Sequence, residues 1–190
     1  MSDIKIRKAK IAKGGTVEAS FYDRDGNDIT LKGKNICHPD LKAAFAGLVP
    51  FLADLTEQKE ADRIDWYNLD DAETVESLRY LEVTGFSISE DDVNPMVTLI
   101  GKRTLRTSKV LNLCAPATAL NTDTESYERC TELDTALQVC IYEVEQYITE
   151  RKWQIKQTEL NFDNPDDPFA SATPTDDVSL PESQEAEHVA

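Results

Sequence analysis

The sequence holds little of what most enzymes carry at their centres. It has 2 histidines, 4 cysteines and 7 glycines in 190 residues. His38 abuts Cys37 and Pro39, and His188 stands in the last stretch of the chain. Adjacent side chains usually point apart, so Cys37-His38 reads as a helix entrance rather than a nucleophile–base pair. Cys37, Cys114, Cys130 and Cys140 contain no C-x-x-C pair and no zinc-ligand spacing, so they read as reduced core thiols of a cytosolic protein. No P-loop, dinucleotide fingerprint, nucleophile elbow or metalloprotease helix is present. Acids abound, yet Asp70-Asp71 and Glu90-Asp91-Asp92 read as solvated loop ends. The residues therefore ask for no catalysis, cofactor or metal. No apolar run is long enough to span a membrane, and the opening Met-Ser-Asp-Ile-Lys-Ile-Arg lacks the apolar stretch of a signal peptide. A cytoplasmic location is expected.

Charge is unevenly spread. The formal net charge is −16, which repels nucleic acid as a whole and confines any DNA contact to a local patch. Residues 1–34 hold eight bases and five acids, residues 93–122 four bases and no acid, and residues 157–190 nine acids and no base.

Apolar periodicity predicts the elements. Ile4, Ile6, Ala9 and Ile11 interleave with bases, which predicts a strand that slips register near Lys8 at a bulge. Gly14-Gly15 predicts a turn, Val17–Tyr22 a second strand and Ile29–Lys32 a short third. The Asp23–Asp28 stretch between them faintly resembles a calcium loop, but its glycine comes too early and no glutamate closes it, so a hairpin turn is expected. Pro39 opens a helix with the stripe Leu41, Phe45, Leu48, Leu52 and Leu55, kinked or split near Pro50. A short helix is expected near Ala72–Leu78. Leu81–Ile88, Met96–Lys102 and Val110–Cys114 form a second meander. Thr122-x-x-Glu125 has the pattern of a capping box. It precedes a helix whose stripe runs Tyr127, Cys130, Leu133, Leu137, Cys140 or Ile141, Val144 and Ile148. The expected fold is α+β: an antiparallel sheet from two β-meanders with two helices packed on one face, over residues 1–155.

Lys102, Arg103, Arg106 and Lys109 surround the second hairpin of that meander. Read for function, they form a phosphate-facing loop for nucleic acid, which the N-terminal bases would extend if the two meanders share a sheet. Read structurally, they keep a sheet edge soluble. No aromatic side chain accompanies them for base stacking.

Residues 163–190 have few apolar side chains and a high negative charge, which predicts a disordered acidic tail. Within it, Asp166-Asp167-Pro168-Phe169 resembles the acidic tip of bacterial single-strand-binding proteins, although there the aromatic is terminal. Between domain and tail, residues 156–162 carry Gln157-x-x-Leu160-x-Phe162. This resembles the peptide by which bacterial polymerases and repair proteins bind the β sliding clamp. Leu160 and Phe162 would each contribute about 1.5–3 kcal/mol on full burial in an apolar cleft, and the Gln157 amide would satisfy donors and acceptors at its rim. Thr158 and Glu159 depart from the family's usual second and third positions, and Asp163-Asn164 excludes the eukaryotic clamp peptide, which has aromatics there. Residues 80–162 more broadly resemble a group of small phage and prophage proteins of unassigned activity. The resemblance lies in Val83-Thr84-Gly85-Phe86-Ser87, Val97–Gly101, Val110-Leu111-Asn112-Leu113 with Ala115-Pro116, and the closing helix. It implies an accessory protein of DNA replication, recombination or repair that binds the host's sliding clamp. Two other readings stand beside it. One is a single-stranded DNA-binding protein with an acidic regulatory tail. The other is a small-molecule-binding host-defence inhibitor with its pocket near Trp66, Tyr67 and Phe86.

Overall fold

In the computed structural model, residues 4–89, 94–120 and 127–153 are described, all within one compact unit, Met1–Ile155. Its strands are β1 (Lys5–Ile11), β2 (Thr16–Tyr22), β3 (Asp28–Ile36), β4 (Leu81–Ile88), β5 (Met96–Thr104), β6 (Val110–Cys114) and β7 (Thr118–Ala119). Its helices are α1 (Pro39–Ala46), α2 (Val49–Leu55), α3 (Ala72–Leu78) and α4 (Cys130–Thr149), with one 3-10 turn at Ala61–Arg63. The sheet runs β3-β2-β1-β4-β5-β6, and β7 pairs with the far end of β5. Each described strand pair is antiparallel. The two expected meanders thus form one sheet, joined where β1 pairs β4 through Lys8–Ser87, Ala9–Phe86 and Lys10–Gly85.

Two bulges repair the alternation. The β1–β2 register shifts between Ile6 and Lys8, so Ile6 and Ala9, three apart, both face the core. The β4–β5 register shifts between Val83 and Gly85, which puts Val83 and Phe86 on the same face; the extra residue, Thr84, donates its hydroxyl to the Ile100 carbonyl at 3.3 Å. An inserted residue reverses the pleat once and restores the inward set. The β2–β3 hairpin closes at Asp23, whose carboxylate accepts from the Asp25 and Asn27 amides at 2.9 and 2.8 Å. This exposed turn rests on Asx chemistry.

The stripe after Pro39 is split in two. α1 stops at Ala46, and Pro50 sits in the first turn of α2, where a missing N–H is harmless. His38 caps α1, its Nδ1 accepting from the Asp40 amide at 3.3 Å. The last helix begins at Cys130 after Arg129, with no side-chain cap. It starts later than the sequence pattern suggests, and the residues of the expected capping box lie outside those described. Its buried stripe is Cys130, Leu133, Leu137, Cys140, Val144 and Tyr147; Cys140 takes the core position and Ile141 packs beside it. Three helices, α1, α2 and α4, lie against the sheet, and their Leu41, Phe45, Leu48, Phe51, Leu52, Leu133 and Leu137 meet Ala9, Val17, Phe86 and Leu99 in one core. At about 1.5–3 kcal/mol per large side chain, this burial dominates the fold's stability. β3 is longer than expected, and β7 is a strand the sequence reading passed over.

Candidate functional site

The four bases of the second hairpin do not share one side of the sheet. Leu105–Lys109 closes the turn, the Leu105 amide donating to the Lys109 carbonyl at 2.8 Å. Arg106 and Lys109 are exposed there. Lys102 pairs across the strand with Glu82 at 3.0 Å. Arg103 turns the opposite way, to the helix side. Its guanidinium donates to Gln58 Oε1 at 2.7 Å and to Glu60 Oε1 at 2.5 Å, and the side chains of the ion pair are only 19% and 14% exposed. Alternation along β5 decides this: Lys102 and Arg103 are neighbours, so they face opposite sides of the sheet. Three bases remain on or near the solvent side, and Arg103 clamps the segment after α2.

The uncovered face of the sheet carries its own bases. Lys8, Lys10 and Lys32 occupy rows shared with Ser20, Glu18 and Ser87. Lys10 pairs with Glu18 at 2.9 Å, and this hydrogen bond is the main cause that lowers the Glu18 pKa, against desolvation, which raises it.

A cleft opens where the meanders part. Pairing of β1 with β4 ends at Lys10–Gly85, while the chain runs on through Ile11 to the Ala12–Gly15 turn on one side and Leu81–Thr84 stands on the other. α1 and α2 close the gap from below through Phe45, Ala46 and Val49. The resulting space is about 550 Å³ and is lined by three lysines, Lys13, Lys42 and Lys102, against one carboxylate, Glu82. Lys102 belongs to the basic hairpin, Lys13 to the N-terminal bases. Lys42 was not foreseen. Only its place on α1, one residue beyond the buried Leu41, could have marked it. Gly14 and Gly15 take φ of 91° and 79°, a region favourable only to glycine.

Trp66, Tyr67 and Phe86, near which a pocket is expected, do not share one exposed surface. Phe86 is fully buried and Tyr67 fully exposed. Trp66 packs against Phe51 with tilted rings at 5.5 Å and lies under the Arg129 guanidinium at 4.3 Å. The thiols are free. Burial pushes the Cys140 pKa up to about 12 and raises that of Cys37 as well, so neither is a ready nucleophile; Cys114 is exposed. Among the described residues, no group of three or more His, Cys, Asp or Glu could hold a metal ion, and no helix is long and apolar enough to cross a membrane. The last described residue, Trp153, bridges antiparallel to Cys37 and donates its indole N–H to the Tyr147 carbonyl at 3.2 Å. Gln157, Leu160, Phe162 and the acidic tail lie outside the described residues. Comparison with protein-family models, curated proteins and solved structures found no match for this chain.

Proposed function

We propose that this protein is a non-enzymatic phage or prophage accessory factor of DNA replication, recombination or repair, acting in the bacterial cytoplasm. It is tethered to the host β sliding clamp by Gln157, Leu160 and Phe162. The observation that carries this reading is the order of parts. Trp153 is tied to Cys37, and the glutamine–leucine–phenylalanine peptide begins soon after it in the chain, at residue 157. A docking peptide works from such a position, because the anchored exit sets a short leash and a high effective concentration for whatever the body touches. Micromolar affinity needs about −8 kcal/mol, which two apolar anchors and backbone hydrogen bonds supply. Calorimetry of the full chain with a purified bacterial clamp tests it. Wild type is expected to bind and the Leu160→Ala/Phe162→Ala double variant to lose that binding. Equal binding by both, or none by wild type, removes the reading.

A second reading, single-stranded DNA binding, is favoured by the lysines on the uncovered sheet face, Lys8, Lys10 and Lys32, and by the exposed hairpin bases Arg106 and Lys109. It predicts salt-sensitive anisotropy changes with oligo(dT) that weaken when Lys102, Arg106 and Lys109 are neutralised. Arg103 does not belong in that variant, since its ion pair with Glu60 is part of the fold. No anisotropy change at low salt removes this reading.

A further inference from the structure

We infer that the cleft between the two meanders is a binding site for a phosphate monoester carried on a flat or apolar body, of mononucleotide size. Nothing in the clamp reading requires it.

The first ground is the charge. Lys13, Lys42 and Lys102 line a space of about 550 Å³, within the size range of small-ligand sites. Among the described residues, the ion pairs beside it are Lys10–Glu18 and Lys102–Glu82, and neither includes Lys13 or Lys42. A dianionic phosphate in the cleft would give these two ammonium groups the partner they lack among the described residues.

The second ground is where Lys42 stands. It is exposed on α1 rather than on a strand edge, so a role in keeping an edge soluble does not account for it. A Cβ built on Gly15 would lie 3.8 Å from both Cε and Nζ of Lys42. The lysine end thus lies within van der Waals reach of the glycine turn. The turn is closed by the Gly15 amide, which donates to the Ala12 carbonyl at 3.0 Å, and two successive residues of positive φ follow one another in it.

The third ground is the floor. Phe45, Val49, Leu81 and Val83 line the cleft beneath the lysines. An inorganic ion has no use for that surface, whereas a nucleoside or similar body buries its own apolar area there.

The test is calorimetric titration of the full chain with dTMP, thymidine, inorganic phosphate and oligo(dT). Binding of dTMP at one site is expected, tighter than either thymidine or phosphate alone. Lys42→Ala should weaken it about tenfold, and Lys13→Ala should weaken it too. Glu82→Gln releases Lys102 and should tighten it. If Lys42→Ala lowers the melting temperature, Lys42→Arg serves instead and should keep the binding. The inference is overturned if dTMP does not bind, if phosphate binds as tightly as dTMP, or if oligo(dT) binds while dTMP does not. The Leu160→Ala/Phe162→Ala chain should bind dTMP like wild type, so this result and the clamp result fail or stand separately.

Discussion

Arg103 shows how a residue's chemistry depends on which side of a strand it occupies. In sequence it is one of four bases around a turn. In the fold it is nearly buried, held by Gln58 and Glu60, and it fastens the charged segment after α2 to the end of β5. Removing one member of such a pair leaves the other charge without its partner in a poorly solvated place. Arg103→Ala should therefore destabilise the protein by about 2 kcal/mol in urea denaturation. The same variant should leave the salt dependence of any oligonucleotide binding unchanged. A wild-type denaturation midpoint would show that the pair contributes nothing. Arg106→Ala, at the exposed turn, should change stability by less than about 0.5 kcal/mol.

At the scale of elements, the start of α1 and the end of α4 are clasped by Lys152. Its ammonium reaches Asp40 at 2.7 Å and Glu143 at 2.8 Å. The hydrogen bond from Lys152 is the main cause that holds the Asp40 pKa below its ordinary 3.8, and the bond to Asp40 is the main cause that raises Lys152 above 10.5. For Asp40, a lowered folded value means stabilisation present above the unfolded pKa and lost as pH falls through the folded one. For Lys152, a raised value means stabilisation present below 10.5 and lost as pH rises through the folded value. The clasp therefore works across the window between these limits. Asp40→Asn should melt below wild type at neutral pH, and the two curves of melting temperature against pH should converge on acidification below 3.8. Curves that stay parallel through that range would mean the clasp does not hold the helices. Tyr147 supplies a second tie, its hydroxyl donating to the Asn35 carbonyl at 2.7 Å and so fixing α4 to the end of β3.

For the whole molecule, the seam between the meanders is the feature that matters. Only three residue pairs join β1 to β4, and at Gly85 the strands come unusually close. A Cβ there would stand 2.8 Å from the Lys10 Cβ and 2.9 Å from the Ala9 carbonyl oxygen. Because part of that contact is backbone, it cannot be relieved by a rotamer change. Gly85→Val should cost about 1–3 kcal/mol, read by chemical denaturation, and should speed hydrogen exchange at Ala9 and Phe86 before it does so in β2 and β3. Uniform loss of protection across the sheet would argue that the seam is not a separate weak point. The cleft begins where this seam ends, so its lysines meet because the two halves of the sheet diverge there.

Much of this was legible in the residues themselves. Period-two and period-three-to-four spacing marked six strands and the helical stripes, and Asp23 to Asn27 carried its own turn chemistry. The broken alternation at Ile6–Ala9 already signalled a bulge, because a core face cannot be kept across an odd spacing without one. These are local effects, set by neighbours a few positions away. What the sequence could not decide was which strand of one meander lies beside which of the other, because that depends on burying both inner faces under the same helices. That choice brought Lys13, Lys42 and Lys102 to one cleft from three separate elements. The Gln157, Leu160 and Phe162 peptide is the reverse case: its reading rests on the order of its side chains alone, which is all that an extended docking segment needs.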